Sequence, residues 1–170
     1  MILHGRSYLL VKLGLSGRIF SFVRSFISNR FIQTRVGGCL STPFGVENGV
    51  PQGSVISPVL FLVMINDLVV PDPEVRLSIF ADDTALWING SNITILNKQL
   101  QRAIDEIYSW CSAWGFKISE SETQCILFSY KRNVDVTLRL ATRAIPLVNE
   151  IRFLGLIFDR HLTWSSQTIL

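Results

Sequence analysis

Asp82 and Asp83 stand side by side in the stretch FADDTALW, residues 80–87, between two apolar runs. Side chains along a strand alternate faces, so neighbours normally point apart. At a hairpin tip that rule lapses and neighbouring carboxylates can converge. Convergent carboxylates repel one another unless a cation lies between them or one of them takes up a proton. Oxygen ligands with few other donors select Mg²⁺ or Mn²⁺. Carboxylates that hold a pair of such ions are the machinery of in-line phosphoryl transfer. The competing reading is plain turn chemistry, because Asp is a good turn former and short motifs recur in unrelated chains.

The surrounding pattern sets the elements that must position the pair. VRLSIF and TALWI are strand-like and separated by Ala81, Asp82 and Asp83, the spacing of a tight hairpin. Upstream, LSGRIFSFVRSFISNR predicts a helix, with Ser16 placed to cap it and Ile19, Phe20, Val23, Phe26 and Ile27 at helical spacing. FIQTRVGG reads as a short strand ending in a glycine turn, and STPFGVENGVPQGSVISP as a loop rich in Gly, Pro and Ser. Ser57 followed by Pro58 resembles an N-cap and first helical position. Val59 to Ile65 are apolar on every side, which places that helix beneath a covering element such as a sheet. Downstream, Ile93, Leu96, Leu100, Ile104, Ile107, Cys111 and Trp114 mark an amphipathic helix with Gly115 placed to stop it. QCILFSY, DVTLRL and IRFLGLIF read as strands. Helices and strands intermixed around a central hairpin predict a single α+β domain.

A chain of 170 residues, 48% hydrophobic and 17% charged, is large enough for one packed core and too apolar for a disordered chain. The net charge of +3 is unevenly spread. No Asp or Glu precedes Glu47, whereas Arg6, Lys12, Arg18, Arg24, Arg30 and Arg35 all do. Such a segment suits a polyanion such as nucleic acid. Their recurrence at about every sixth residue also spreads them over several helix faces, as on an ordinary solvated surface. Cys39, Cys111 and Cys125 are odd in number and lack CxxC spacing, so reduced thiols in an intracellular, nuclear or cytoplasmic protein are expected instead of a disulfide frame or zinc site. No signal-peptide pattern is visible. VISPVLFLVMINDLVV is interrupted by Pro58 and Asn66–Asp67, and its apolar part falls short of the ~20 residues of a membrane span.

GVPQGSVISP and FADD, about thirty residues apart, resemble motifs B and C of the reverse transcriptase domain of non-LTR (LINE-like) retrotransposons. WGFKISESETQCILFS resembles motif D, and IRFLGLIFDRHLTW resembles motif E, the primer grip. LLVKLGLSGRIFSFVRSFISNRF is similar to the helical stretch between motifs A and B. The resemblance implies a palm fold, an antiparallel sheet with helices on one face. It divides residues 1–170 into connecting helices and strand over 1–48, a palm with motifs B to D over 49–150, and the primer grip with the start of the thumb over 151–170. It implies RNA-directed DNA polymerase activity on an RNA template and DNA primer, with deoxynucleoside triphosphates and Mg²⁺ or Mn²⁺, and no membrane. Asp82 and Asp83 become the catalytic metal ligands. Gly49, Pro51, Gln52 and Gly53 line the nucleotide and template site, where glycine lets a strand approach the backbone and the Gln52 amide both donates and accepts. Leu154 and Gly155 become the bend of the primer grip, with a buried hairpin as the plainer alternative.

The sequence also departs from that pattern. Motif A, which supplies a further metal-binding aspartate, and the fingers are expected upstream of the first residues, and the thumb beyond LTWSSQTIL. In motif D, Ser119 stands where relatives carry Asn, and Glu122 where they carry a Lys that is a candidate proton donor to pyrophosphate. An acid beside a polyphosphate repels where the cation would donate, and Lys117 reads as a surface residue. The chain alone is therefore expected not to extend a primer. A non-catalytic nucleic-acid-binding relic of a mobile element is the second reading, and a structural domain without a ligand the third.

Overall fold

The computed structural model describes residues 14, 16–46, 49–131 and 134–165. They fall into two compact units, one ending at Asp67 and the other beginning at Leu68, a division inside the stretch expected to form the palm. Arg6, Lys12, the first residues of the segment likened to the inter-motif helices, and residues 166–170 of the expected primer grip and thumb start lie outside the described residues.

The first unit is built on helix α1 (Gly17–Ile27) and helix α2 (Ser57–Ile65). The apolar spacing of α1 buries Val23 and Ile27, and Phe20, Phe26, Val50 and Leu60 pack around them. Ser16 sits at the N-cap position in an extended conformation, but its side chain makes no capping bond. The C-terminal end of α1 is closed by Arg30, whose Nε donates to the Ile27 carbonyl at 3.2 Å, a cation placed against the negative end of the helix dipole.

Between the helices runs a ribbon that the sequence reading only half anticipates. Strand β1 (Arg30–Ile32) pairs antiparallel with β4 (Phe44–Val46), and β2 (Arg35–Val36) pairs with β3 (Cys39–Leu40) across Gly37–Gly38. FIQTRVGG is thus the outgoing half of a ribbon, and part of the expected loop returns as β4. The reason is tertiary pairing: Phe31 lies opposite Gly45, and a Cβ on that glycine would be 3.9 Å from the Phe31 ring. The ring covers a position whose composition reads locally as loop. Phe31, Ile32, Val36, Leu40 and Phe44 are all more than half exposed.

Helix α2 begins one residue away from its expected cap. Ile56 takes the N-cap position and Ser57 the first helical one. The buried Ser57 hydroxyl donates to the Pro51 carbonyl at 2.6 Å instead of closing the helix. Within the first unit Leu60 packs around the buried α1 residues, while Val59 and Leu62 stay more than half exposed.

The second unit centres on helix α3 (Ile93–Trp114), the element most legible from sequence. Asn92 caps it by accepting from the Thr94 and Ile95 N–H groups at 3.1 and 3.3 Å. Gly115 ends it in the left-handed conformation, as its position predicts. The buried stripe of α3 holds Ala103, Ile104 and Ile107. Ile104 joins Leu138 and Leu140 in a core that also takes in Leu86, Leu100, Ile118, Cys125, Val136 and Ile145.

Six strand pairs occur among the described residues, five antiparallel and one parallel. In the second unit these are β5 (Arg76–Phe80) with β6 (Asp83–Trp87), β8 (Arg139–Leu140) with β9 (Arg143–Ala144), β11 (Glu150–Phe153) with β12 (Leu156–Asp159), and the parallel pair β7 (Cys125–Ile126) with β10 (Leu147–Val148). The fold is mixed α and β, as expected, with pairing closed two strands at a time. QCILFSY and DVTLRL each contribute only two ladder residues because side chains take the place of partner strands. Gln101 of α3 exchanges two bonds with the Arg139 backbone, at 2.9 and 2.8 Å, and Asn97 donates to the Thr137 carbonyl at 3.1 Å. Arg160 serves the Ser129 and Lys131 carbonyls in the same way, at 3.1 and 2.6 Å.

Candidate active site

The β5–β6 hairpin aligns Phe80 with Asp83, Ile79 with Thr84, Ser78 with Ala85, Leu77 with Leu86 and Arg76 with Trp87. The turn is therefore Ala81–Asp82, two residues instead of the three expected, and Asp83 is the first residue of β6. Ala81 takes a φ of 51°, the left-handed region that a two-residue hairpin turn demands at its first position. Alternation places Leu77, Ile79, Thr84 and Leu86 on one face, and Leu86 packs into the α3 core. Arg76, Ser78, Phe80, Asp83, Ala85 and Trp87 share the opposite face.

Asp82 at the turn and Asp83 on that outward face are both exposed, with no apolar cover. The site is thus a short rigid lever, seated in the core by Leu86 and carrying two acids at its free end. The donor chemistry, carboxylate oxygens open to water, fits a hard divalent cation. No cluster of three or more His, Cys, Asp or Glu side chains with metal-site geometry exists among the described residues.

The Pro51–Gly53 loop belongs to the first unit, and its shape comes from three ties. Val50 packs against Val23 and Ile27, the Gly49 carbonyl accepts from Arg30 Nη2 at 2.7 Å, and the Pro51 carbonyl accepts from Ser57. Gly49 and Gly53 have φ values of 76° and 80°, which favour glycine, and a Cβ at either would meet nothing within 4 Å. Gln52 is exposed between them. The sequence reading missed Arg30 and Ser57 as supports of this loop. Arg30 reads as one of a basic series and Ser57 as a cap, and only the folded chain brings them to the loop carbonyls.

Leu154 and Gly155 form the two-residue turn between β11 and β12, with φ values of 50° and 82°. Both positive angles are the signature of a type I′ turn. Leu154 is half exposed, so the buried-hairpin alternative does not apply to its tip. Below the turn, Asp159 accepts backbone N–H bonds from His161 at 3.1 Å, Thr163 at 2.7 Å and Trp164 at 3.1 Å. Desolvation pushes its carboxyl upward, but these donors, from Trp164, His161 and Thr163, outweigh it and hold the group below the ordinary carboxylate range. Asp159 was not singled out from sequence. The available signal was an Asp at a strand end ahead of a short polar turn, a residue that commonly bonds the backbone just beyond it.

In motif D, Glu122 and Lys117 are both exposed. No disulfide joins the three cysteines, and burial raises the Cys111 and Cys125 thiols above their ordinary value. Among the described residues no helix is long and apolar enough to cross a membrane.

Residues 10–158 match the family described as "Reverse transcriptase (RNA-dependent DNA polymerase)". The chain is 27% identical over 161 residues to the probable RNA-directed DNA polymerase from transposon X-element of Drosophila melanogaster, covering 92% of this chain and 18% of that protein. It is 28% identical over 155 residues to the RNA-directed DNA polymerase from mobile element jockey of the same species, covering 87% of this chain and 17% of that one. With the Pol polyprotein of the type-1 retrotransposable element R1 2 of Nasonia vitripennis it shares 31% identity over 107 residues, 59% of this chain and 24% of the relative. The chain spans less than a fifth of the length of the first two relatives. Divalent-metal use and nucleic-acid substrates are general to this family. The motifs, the exposed acidic hairpin and a match over most of its length agree, and the chain belongs to the reverse transcriptase family, with its likeness among retrotransposon polymerases.

Proposed function

We propose that this chain is the part of an RNA-directed DNA polymerase that holds the catalytic metal and steadies the primer during template-directed addition of deoxynucleotides to a 3′-hydroxyl. The observation that carries the reading is the pair Asp82 and Asp83, open to solvent at the tip of a core-seated hairpin in a chain of this family. Divalent cations held there supply Lewis acidity at the attacking oxygen and neutralise charge at the leaving group. Asp82 and Asp83 hold such ions at a fixed place, because the register Phe80–Asp83 locks the turn to the strands. Gln52, between its two glycines, reads the template and incoming nucleotide through its amide, on a loop tied by Arg30 and Ser57. Leu154 and Gly155 present a sharp backbone bend to the primer.

With two hairpin carboxylates and Glu122 where relatives carry a lysine, the 170-residue chain alone is expected to bind metal weakly and not to extend a primer. The experiment is Mn²⁺ titration followed by electron paramagnetic resonance, on the parent chain and on Asp82→Asn/Asp83→Asn. Saturable Mn²⁺ binding that disappears in the double variant is expected, and equal binding by both would overturn the assignment. Primer extension by the same samples checks the second expectation.

A non-catalytic nucleic-acid-binding role is favoured by a separate observation. Arg18, Arg24 and Arg35 are exposed on a segment with no acid before Glu47. Salt-sensitive binding to primer–template without incorporation supports that role.

A further inference from the structure

Tyr130 is 84% exposed, yet its side chain is held on the second unit, its hydroxyl donating to the His161 carbonyl at 3.5 Å. Its ring stacks on His161, with centroids 5.0 Å apart and planes 18° from parallel. The carbonyls on either side of it, Ser129 and Lys131, are both held by the guanidinium of Arg160. Arg160 is itself anchored, its backbone N–H donating to the Asn149 carbonyl at 2.9 Å, and the next N–H, that of His161, donates to Asp159. The backbone around both rings is thus held by bonds that Arg160 and His161 make just beyond β12.

A restrained ring that stays this exposed buries little apolar area, so its ordering does little for the fold itself. What it provides is a flat aromatic face already in place, with the exposed Lys131 and the Arg160 guanidinium beside it. Asp159, which precedes Arg160, turns its oxygens onto three backbone N–H groups, and the exposed Asp135 lines a pocket with Arg160. An aromatic platform flanked by cations is the arrangement that takes an unpaired nucleobase, with the phosphates drawn to the basic side chains.

We propose that Tyr130, backed by His161 and fixed by Arg160, is a stacking platform for an unpaired base of single-stranded nucleic acid. The proposal rests on the nucleic-acid-copying reading above and adds a contact separate from the Asp82–Asp83 site. The test measures fluorescence anisotropy of a labelled single-stranded oligonucleotide of about 12 nucleotides at low salt. It compares the full chain with Tyr130→Ala and Tyr130→Phe. Tyr130→Ala is expected to weaken binding by about fivefold or more, whereas Tyr130→Phe keeps the ring and is expected to bind as the parent does. Circular dichroism checks that both variants fold, and Tyr130→Phe keeps the comparison informative if the alanine variant does not. A twofold or greater loss in Tyr130→Phe, or an alanine variant that folds and binds normally, would overturn the platform. So would a parent chain that binds no oligonucleotide, or one that binds duplex equally well with no dependence on Tyr130. Loss of the Mn²⁺ assignment with Tyr130-dependent binding intact would remove the metal reading and leave this one standing.

Discussion

Two of the second unit's two-residue hairpins carry aspartate, and the acids are treated in opposite ways. At the β5–β6 tip, Asp82 and Asp83 face water. At the base of the β11–β12 hairpin, Asp159 is enclosed by backbone donors from His161, Thr163 and Trp164. A carboxylate whose lone pairs are taken up by the protein's own N–H groups organises the chain around it. One left open at a hairpin tip keeps its oxygens available, as the proposed metal site requires. The contrast separates an acid committed to the chain's own backbone from one with free oxygens, without appeal to residue type.

The largest expected effect tests the core on which the β5–β6 hairpin leans. Leu140 is 3% exposed in the core that also seats Leu86. Leu140→Ala is expected to lower unfolding stability by about 2–5 kcal/mol, read from chemical denaturation. A loss under about 1 kcal/mol would mean that this core does not support the β5–β6 hairpin.

The next prediction addresses the contrast directly. Because the donors hold Asp159 below the ordinary carboxylate range, its ionised form stabilises the segment that follows. That contribution is fully present above the ordinary Asp value of about 3.9 and fades as pH falls through the depressed one. Amide exchange at His161, Thr163 and Trp164, corrected for intrinsic rates, should accelerate over that window. In Asp159→Asn it should be fast throughout and lose the pH step. Asp82→Asn/Asp83→Asn, by contrast, should leave metal-free stability within about 0.5 kcal/mol of the parent. If the two substitutions proved equally destabilising, the distinction between enclosed and open acids would not hold.

The smallest effect concerns the turns. Leu154 holds a φ of 50°, a conformation that costs an ordinary L-residue about 1 kcal/mol. Leu154→Asn supplies the Asn–Gly pair that type I′ turns favour, and should raise stability by up to about 1 kcal/mol in a thermal melt. A decrease would show that the exposed leucine contributes packing that the turn geometry hides.

What could be read in advance follows from how local each signal is. Helix α3 was legible because seven apolar residues at helical spacing and Gly115 all lie within one stretch. The acidic hairpin was legible in kind, but its register was not. Whether Asp83 belongs to the turn or the strand depends on which residue faces Phe80 across the ladder. The strands around 125–140 were legible in place but not in length, because side chains some thirty to forty residues away, Gln101 and Arg160, take the place of partner strands. The same is true of the motif B loop, whose composition predicts a bend but whose two supports, Arg30 and Ser57, are ordinary residues in sequence. The parallel pair β7–β10 joins segments that no periodicity links.

Arg30 stands at the root of the exposed ribbon and grips both the last turn of α1 and the carbonyl of Gly49. A single guanidinium thereby ties together a helix, a projecting arm and the glutamine-bearing turn. A displacement of the arm at its root therefore has a direct covalent and hydrogen-bonded route to the turn through that one side chain.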